Sequence, residues 1–282
     1  MIDPEAYRGE SRERWEAAAR GWEERRATFQ RDAEPVSIWL VEHLEPQPGY
    51  RILELAAGVG DTGLLAAELV QPGGSVLITD HAEAMVEAAR RRAAEVGASN
   101  VESRRMDAEW IDLPAASVDG VISRWGYMLL ADPEAALTET RRVLRPGGRV
   151  TLAAWAEPDA NQWLSAIGRS VVDLGFAEPP EPGQPGPFAF AAPGRIESLL
   201  DAAGFDEVLV EPLDFPMRHP SFDAYFEHQA AMSTNLRTTL DGLSEADHRR
   251  LKDEIEGRLS EFAQPDGSLV LPARTWVAAA LG

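Results

Sequence analysis

Apolar residues recur with two periods along this chain, and the alternation between them outlines the elements. Residues 1–30 place Trp15, Ala18, Ala19 and Trp22 on one face, the 3.6-residue pattern of an amphipathic helix. Pro35 then predicts a break and a second helix over about 35–45. Pro48-Gly49 marks a turn, and short apolar runs begin to alternate with helical patterns. Strands are predicted at 52–55, 75–79, 101–105, 118–123 and 149–155. Helices are predicted at 62–69, 82–96 and 133–144, the last opened by Asp132 as cap with Pro133 at its first position. Strands alternating with helices of this length predict an α/β fold with a parallel sheet and helices on both faces. The second half is less regular. It reads as a helix at 161–174, a Pro/Gly-rich loop at 178–187, a helix at 193–203, a strand at 207–213, a charged helical stretch at 221–262 and an apolar strand at 268–280.

Composition narrows the class. The chain has 282 residues, 44% of them apolar, enough for a sizeable core. No run of about 18 apolar residues suggests a membrane span, and the charged N-terminus lacks a signal-peptide core. The absence of cysteine excludes disulfides, thiolate metal sites and thiol nucleophiles, and makes the cytoplasm the expected compartment. No metal site is expected. A formal charge of −20 disfavours nucleic acid and anionic membrane as partners. It is compatible with a neutral or cationic small molecule; the plainer reading is an acidity that serves solubility alone.

The candidate chemistry lies in the first crossover. Gly58-Val59-Gly60-Asp61-Thr62-Gly63 follows a strand and opens a helix, and Asp80 ends the next strand. This pattern lets backbone approach a ligand closely and offers a carboxylate to two ribose hydroxyls, so by itself it fits NAD as well as other adenosine cofactors. Three features separate them. Glu54 precedes the glycines, where it suits a cationic amino group and opposes a pyrophosphate. Asp107-Ala108-Glu109 follows the third strand, where a carboxylate can meet an adenine amino group. Arg142–Val150 joins a helix to the fifth strand through Pro146-Gly147-Gly148.

As a set, these residues resemble the class I S-adenosylmethionine-dependent methyltransferases, in particular the small-molecule group related to the ubiquinone and menaquinone C-methyltransferases. The resemblance runs over about Tyr50–Trp155. It rests on Glu54-Leu55-Ala56-Ala57-Gly58-Val59-Gly60, on Asp80 with Met85 one turn on, on Asp107-Ala108, on Ser123-Arg124-Trp125-Gly126 and on the Pro-Gly-Gly turn. Ala56 stands where the family usually has glycine. Its methyl group disfavours positive φ, so the loop is expected to take a slightly different backbone there.

The resemblance implies a Rossmann-like sheet of seven mainly parallel strands, the last antiparallel, with a helical lid. It implies S-adenosyl-L-methionine as cofactor and a small-molecule acceptor methylated on carbon, oxygen or nitrogen. Cofactor contacts would come from Glu54 (amino group), Ala56, Gly58 and Gly60 (loop backbone), Asp80 (ribose), His81 and Met85 (beside adenine), Asp107 and Ala108 (adenine), and Ser123 and Arg124 (methionine carboxylate or substrate). Candidate acceptor walls are Trp15, Trp22, Trp125, Tyr127, Met128 and Trp163, whose aromatic character points to an apolar or aromatic acceptor. His219, Tyr225 and His228 are the candidate bases. The organisation expected is cap helices at 1–48, a cofactor-binding core at 49–160, a lid helix and loop at 161–192, a continuation of the core at 193–220, a helical insert at 221–265 and a terminal strand at 266–282. The rival readings are an NAD-dependent oxidoreductase, for which a Tyr-x-x-x-Lys pair is missing in a chain whose single lysine is Lys252, and a non-enzymatic or regulatory S-adenosylmethionine-binding protein.

Overall fold

The computed structural model describes residues 3–179 and 183–282. Of the loop expected at 178–187, residues 180–182 therefore lie outside the described residues. The chain opens with α1 (Pro4–Leu44), a helix of 41 residues capped by the Asp3 side chain, which accepts from the Glu5 N–H. Then follow β1 (Arg51–Glu54), α2 (Asp61–Leu69), β2 (Ser75–Asp80), α3 (Glu83–Glu95), β3 (Val101–Arg105), β4 (Val118–Arg124), α4 (Pro133–Val143) and β5 (Leu144–Trp155). The second half contributes α5 (Gln162–Asp173), α6 (Arg195–Ala202), β6 (Asp206–His219), α7 (Phe222–Met232), α8 (Thr234–Asp241), α9 (Glu245–Leu259) and β7 (Leu269–Leu281).

The seven strands form one sheet in the order β3-β2-β1-β4-β5-β7-β6. The first five are parallel, and β7 is antiparallel to both its neighbours, as the resemblance implied. β6 consequently runs in the same direction as β1–β5. The central strands β1, β2, β4 and β5 are buried on both faces, which explains runs such as Val76-Leu77-Ile78 that read as continuous rather than alternating. Asp132 caps α4 through the Ala135 N–H, as the sequence suggests.

Two expectations are corrected. The break at Pro35 is absent: α1 runs straight through it as one helix. An interior proline costs about 3 kcal/mol. Phe29, Val36, Trp39, Leu40 and Leu44, on both sides of it, are each at least nine-tenths buried, and such side chains contribute roughly 1.5–3 kcal/mol apiece. Polar ties lie on either side as well. Asp32 accepts from the Arg218 N–H at 2.7 Å, and the Ser37 hydroxyl lies 3.1 Å from that of Thr62. Packing therefore outweighs the local break. The second correction concerns length. β6 extends well past residue 213, to His219, because β7 pairs with it along its whole course.

That extension shapes the site. β5 meets β7 only over Thr275–Leu281, whereas β6 stays paired out to Leu269. The β6–β7 ribbon thus overhangs the C-terminal edge of the sheet by six residues, Leu269–Arg274, or roughly 20 Å at ~3.3 Å per residue. Helices α1, α5 and α7 pack around the overhang.

Candidate functional site

Glu54, Asp80, Arg124 and Trp155 end or nearly end β1, β2, β4 and β5, so strand polarity alone brings them to one edge. The loop after β1 is held from beneath. The Ala57 N–H donates to the Thr79 carbonyl, and the Thr79 hydroxyl donates to the Glu54 carbonyl. Asp80 anchors the same loop from the side. Its carboxylate accepts from the Gly58 N–H at 2.9 Å and the Ala82 N–H at 3.0 Å. Burial raises the Asp80 pKa above its ordinary value, opposed by His81 and these N–H donors.

Ala56 overturns the expectation of a relaxed detour. Its φ is 50°, inside the left-handed region, followed by Gly58 at 56° and Gly60 at 80°. The loop keeps the glycine-type backbone and places an alanine in it, at a cost of about 1–2 kcal/mol. Gly126 makes the arrangement possible. A Cβ there would lie 2.6 Å from the Ala56 Cβ and 2.5 Å from the Ser123 Oγ. The Ser123 hydroxyl is buried without a partner.

Glu54 is 2% exposed, and its Oε2 has no hydrogen-bond partner. Gly63 gives it room, since a Cβ at that position would come within 2.3 Å of Oε2. Burial pushes the Glu54 pKa to about 8, opposed by Arg124 and the Gly63 N–H. Arg124 itself is anchored to α1, with Nη1 donating to Gln30 Oε1 and Ser37 Oγ, both at 2.7 Å. Its pKa is lowered by burial, against the pull of Asp61 and Glu54. Asp61 is held by Arg26 of α1 at 2.8 Å. A buried carboxyl with a free oxygen, beside backbone with open space at Gly58, fits a ligand bringing its own cation and hydroxyls.

Past β3, Asp107 accepts from the Glu109 N–H, and Glu109 pairs with Arg8 of α1. A cavity of about 300 Å³ opens here, lined by His81, Asp107, Met106, Arg8, Arg12, Arg104, Arg105, Asp112 and Trp110. Trp110 is 79% exposed, and neither it nor the arginines stood out in the sequence. The available clue was a tryptophan three residues after Asp107, in a loop where burial gives it no reason to be.

The proposed acceptor walls separate into groups. Trp15 and Trp22 pack with Val59, Ala82 and Met85, over the glycine loop and α3. Met85 is fully buried in that cluster. Tyr127 turns into the core, its hydroxyl 2.6 Å from that of Thr140, with burial raising its pKa. Met128 is buried too. Trp125 and Trp163 lie under the β6–β7 overhang. Trp125 stacks on Trp155 at 4.2 Å, Trp163 stands edge-on to Trp155 at 5.0 Å, and Phe29 meets Trp125 at 5.5 Å. Phe215 of β6 closes this aromatic vault, 6.0 Å from Trp155. Beyond it, the structure brings His219, Tyr225 and His228 together. Their ring centroids lie 5.2 Å (His219 to Tyr225) and 5.3 Å (His219 to His228) apart. The Tyr225 hydroxyl donates to the Trp163 carbonyl at 2.7 Å, and burial raises its pKa. Burial pushes both histidines down to about 4. Among the described residues no group of acidic and histidine side chains is arranged to hold a metal, and no helix is long and apolar enough to cross a membrane.

Comparison with known proteins agrees with this geometry. Residues 55–152 match a family model described as a methyltransferase domain. Nocamycin O-methyltransferase of Saccharothrix syringae is 35% identical over 199 residues, which span 67% of this chain and 71% of that protein. The ubiquinone/menaquinone biosynthesis C-methyltransferase UbiE of Pseudomonas fluorescens is 37% identical over 111 residues, 39% of this chain and 43% of its own length. In architecture, the YcgJ protein from Bacillus subtilis superposes with a TM-score of 0.58 at 18% identity, over 87% of this chain and 97% of that one. At that identity the likeness concerns the fold alone.

Proposed function

The chain belongs to the S-adenosylmethionine-dependent methyltransferases, and on that premise we propose that it methylates a small molecule with an apolar or aromatic framework. Glu54 is the observation that carries the reading at the cofactor end. Its buried Oε2, lacking a partner at the mouth of the glycine loop, suits a cationic amino group, whose charge favours the ionised carboxylate. The NAD-dependent alternative finds no support in the comparisons.

S-adenosylmethionine supplies an electrophilic methyl group on a sulfonium, so the protein's task is to hold, align and keep dry. In this reading Glu54 receives the amino group, and Asp80 accepts from ribose hydroxyls while keeping Gly58 in place. Asp107 meets the adenine amino group at the edge of the cavity that His81 also lines. Ser123, with its unpartnered hydroxyl, and Arg124 close the methionine end. The aromatic vault of Trp125, Trp155, Trp163, Phe29 and Phe215 holds the acceptor and excludes water. An oxygen acceptor is favoured. The O-methyltransferase relative matches over 199 residues, well beyond the length of the shared core, whereas the C-methyltransferase matches over 111. A cytoplasmic setting suits a chain with no cysteine.

Calorimetry with S-adenosylmethionine, its demethylated product and NAD tests the reading. The first two are expected to bind and NAD is not. Binding of NAD alone would overturn it.

A further inference from the structure

His219 and His228 sit at the far end of the aromatic vault with nothing to bond. His219 is the last residue of β6, two and four positions beyond the buried Met217 and Phe215, and therefore on the same face of the strand. His228 lies on α7. The two are 3% and 2% exposed. Nε2 of His219 and both ring nitrogens of His228 are buried without a hydrogen-bond partner. Buried polar side chains are nearly always paired, and three orphaned nitrogens in one cluster call for a cause.

The neighbours cannot supply the missing partners. Tyr225 and Gln229 both donate to the Trp163 carbonyl, at 2.7 and 3.0 Å. Asp32, the nearest acid, is taken up by Arg31 and the Arg218 N–H. The other charges felt by the pair are those of Arg31 and Arg25. Each ring is neutral at pH 7, so each offers one N–H donor and one acceptor. In surroundings this apolar, a neutral hydrogen-bonding group is welcome and an unpaired charge is not. The packed aromatic side chains connect the pair to the reacting end. Phe29 touches Trp125, which directly follows β4, and Trp163, whose carbonyl is held by α7.

We propose that the paired imidazoles of His219 and His228 receive the hydroxyl or carbonyl group of a neutral aromatic acceptor lying in the vault. The proposal rests on the methyltransferase reading and names the substrate class for it. It assigns the pair to recognition of the acceptor. An ordered water filling the same space is the competing explanation.

The test uses 2-naphthol, naphthalene and 1-naphthylmethylammonium as probes of the full chain saturated with the demethylated cofactor. Quenching of tryptophan fluorescence reads binding, because three tryptophans wall the vault. Naphthol is expected to bind at least about tenfold more tightly than naphthalene and than the cation. In His228→Phe, which keeps the ring and removes both nitrogens, that preference is expected to fall below about threefold, with thermal melting and affinity for the demethylated cofactor retained. If His228→Phe does not fold, nitrogen NMR of histidine-labelled wild type decides. Naphthol, and not naphthalene, is expected to shift the His228 and His219 ring signals. Equal binding of naphthol and naphthalene, tighter binding of the cation, no naphthol binding up to its solubility limit, or unmoved ring signals each overturn the proposal. A water-filled site gives the first or last of these. Failure of the demethylated cofactor to bind overturns the methyltransferase reading instead, and the naphthol preference can then still be measured without it.

Discussion

Ala56 shows how far a single residue can depart from its own preference when its surroundings insist. Its left-handed φ of 50° is imposed by the turn that brings Gly58 to Asp80, and Gly126 leaves room for the methyl group. Ala56→Gly removes strain of about 1–2 kcal/mol but gains freedom in the unfolded chain worth about 0.4–1 kcal/mol. The expected result is a net stabilisation of up to about 1.6 kcal/mol in urea unfolding. Glu54 makes the second residue-scale prediction. With its pKa near 8, it is protonated in the free protein at pH 6.5, and a cationic amino group requires it ionised. Binding of S-adenosylmethionine at pH 6.5 is therefore expected to release close to one proton. Affinity should rise with pH toward 8. Calorimetry in two buffers of different ionisation heat measures the proton. Glu54→Gln should release none, and should bind more weakly.

At the scale of elements, α1 does the most to build the site. It reaches the sheet edge at many points: Glu16 accepts from the Glu83 and Ala84 N–H groups that open α3, Arg26 holds Asp61, Gln30 and Ser37 hold Arg124, and Asp32 holds the β6–β7 overhang. A helix broken at Pro35 could not keep these ties in register. Because Pro35 is exposed and its cost is backbone geometry alone, Pro35→Ala is expected to stabilise the protein. The gain is about 3 kcal/mol from the restored hydrogen bond and relieved ring clash, less about 0.4–1 kcal/mol of unfolded-state freedom, or about 2 kcal/mol net. A melting temperature that falls would mean the proline shapes a bend the packing needs.

For the whole molecule, the buried titratable groups combine into one pH profile. Glu54 is raised, so its contribution to stability is complete below about 4.5 and is lost as pH rises through about 8. Asp80 acts in the same direction. His219 and His228 are depressed to about 4, so the unfolded chain takes up their protons first, and stability is lost as pH falls below about 6.5. The two trends oppose each other below pH 6.5. Above it the histidines are silent and only the carboxyl effect remains. Urea midpoints are therefore expected to fall between pH 6.5 and 8, in a chain whose charge of −20 already disfavours compactness. Glu54→Gln should flatten that stretch. A wild-type profile flat over the same range would mean that Glu54 is ionised in the folded protein.

Much of this architecture was legible in the sequence, because it is local. The alternation of strands and helices, the Asp132 cap, the glycine loop and the carboxylates at strand ends all lie within segments of a few dozen residues, and parallel crossovers carry every strand end to the same edge. The rest depends on residues far apart. Arg8 and Glu109 are 101 positions apart, and Asp32 and Arg218 are 186. The continuity of α1 through Pro35, the left-handed Ala56, the turning of Tyr127 into the core and the isolation of His219 and His228 follow from such contacts. Local propensity is worth a kilocalorie or so per residue, while packing across the fold is worth several, so where the two disagree only the tertiary structure decides.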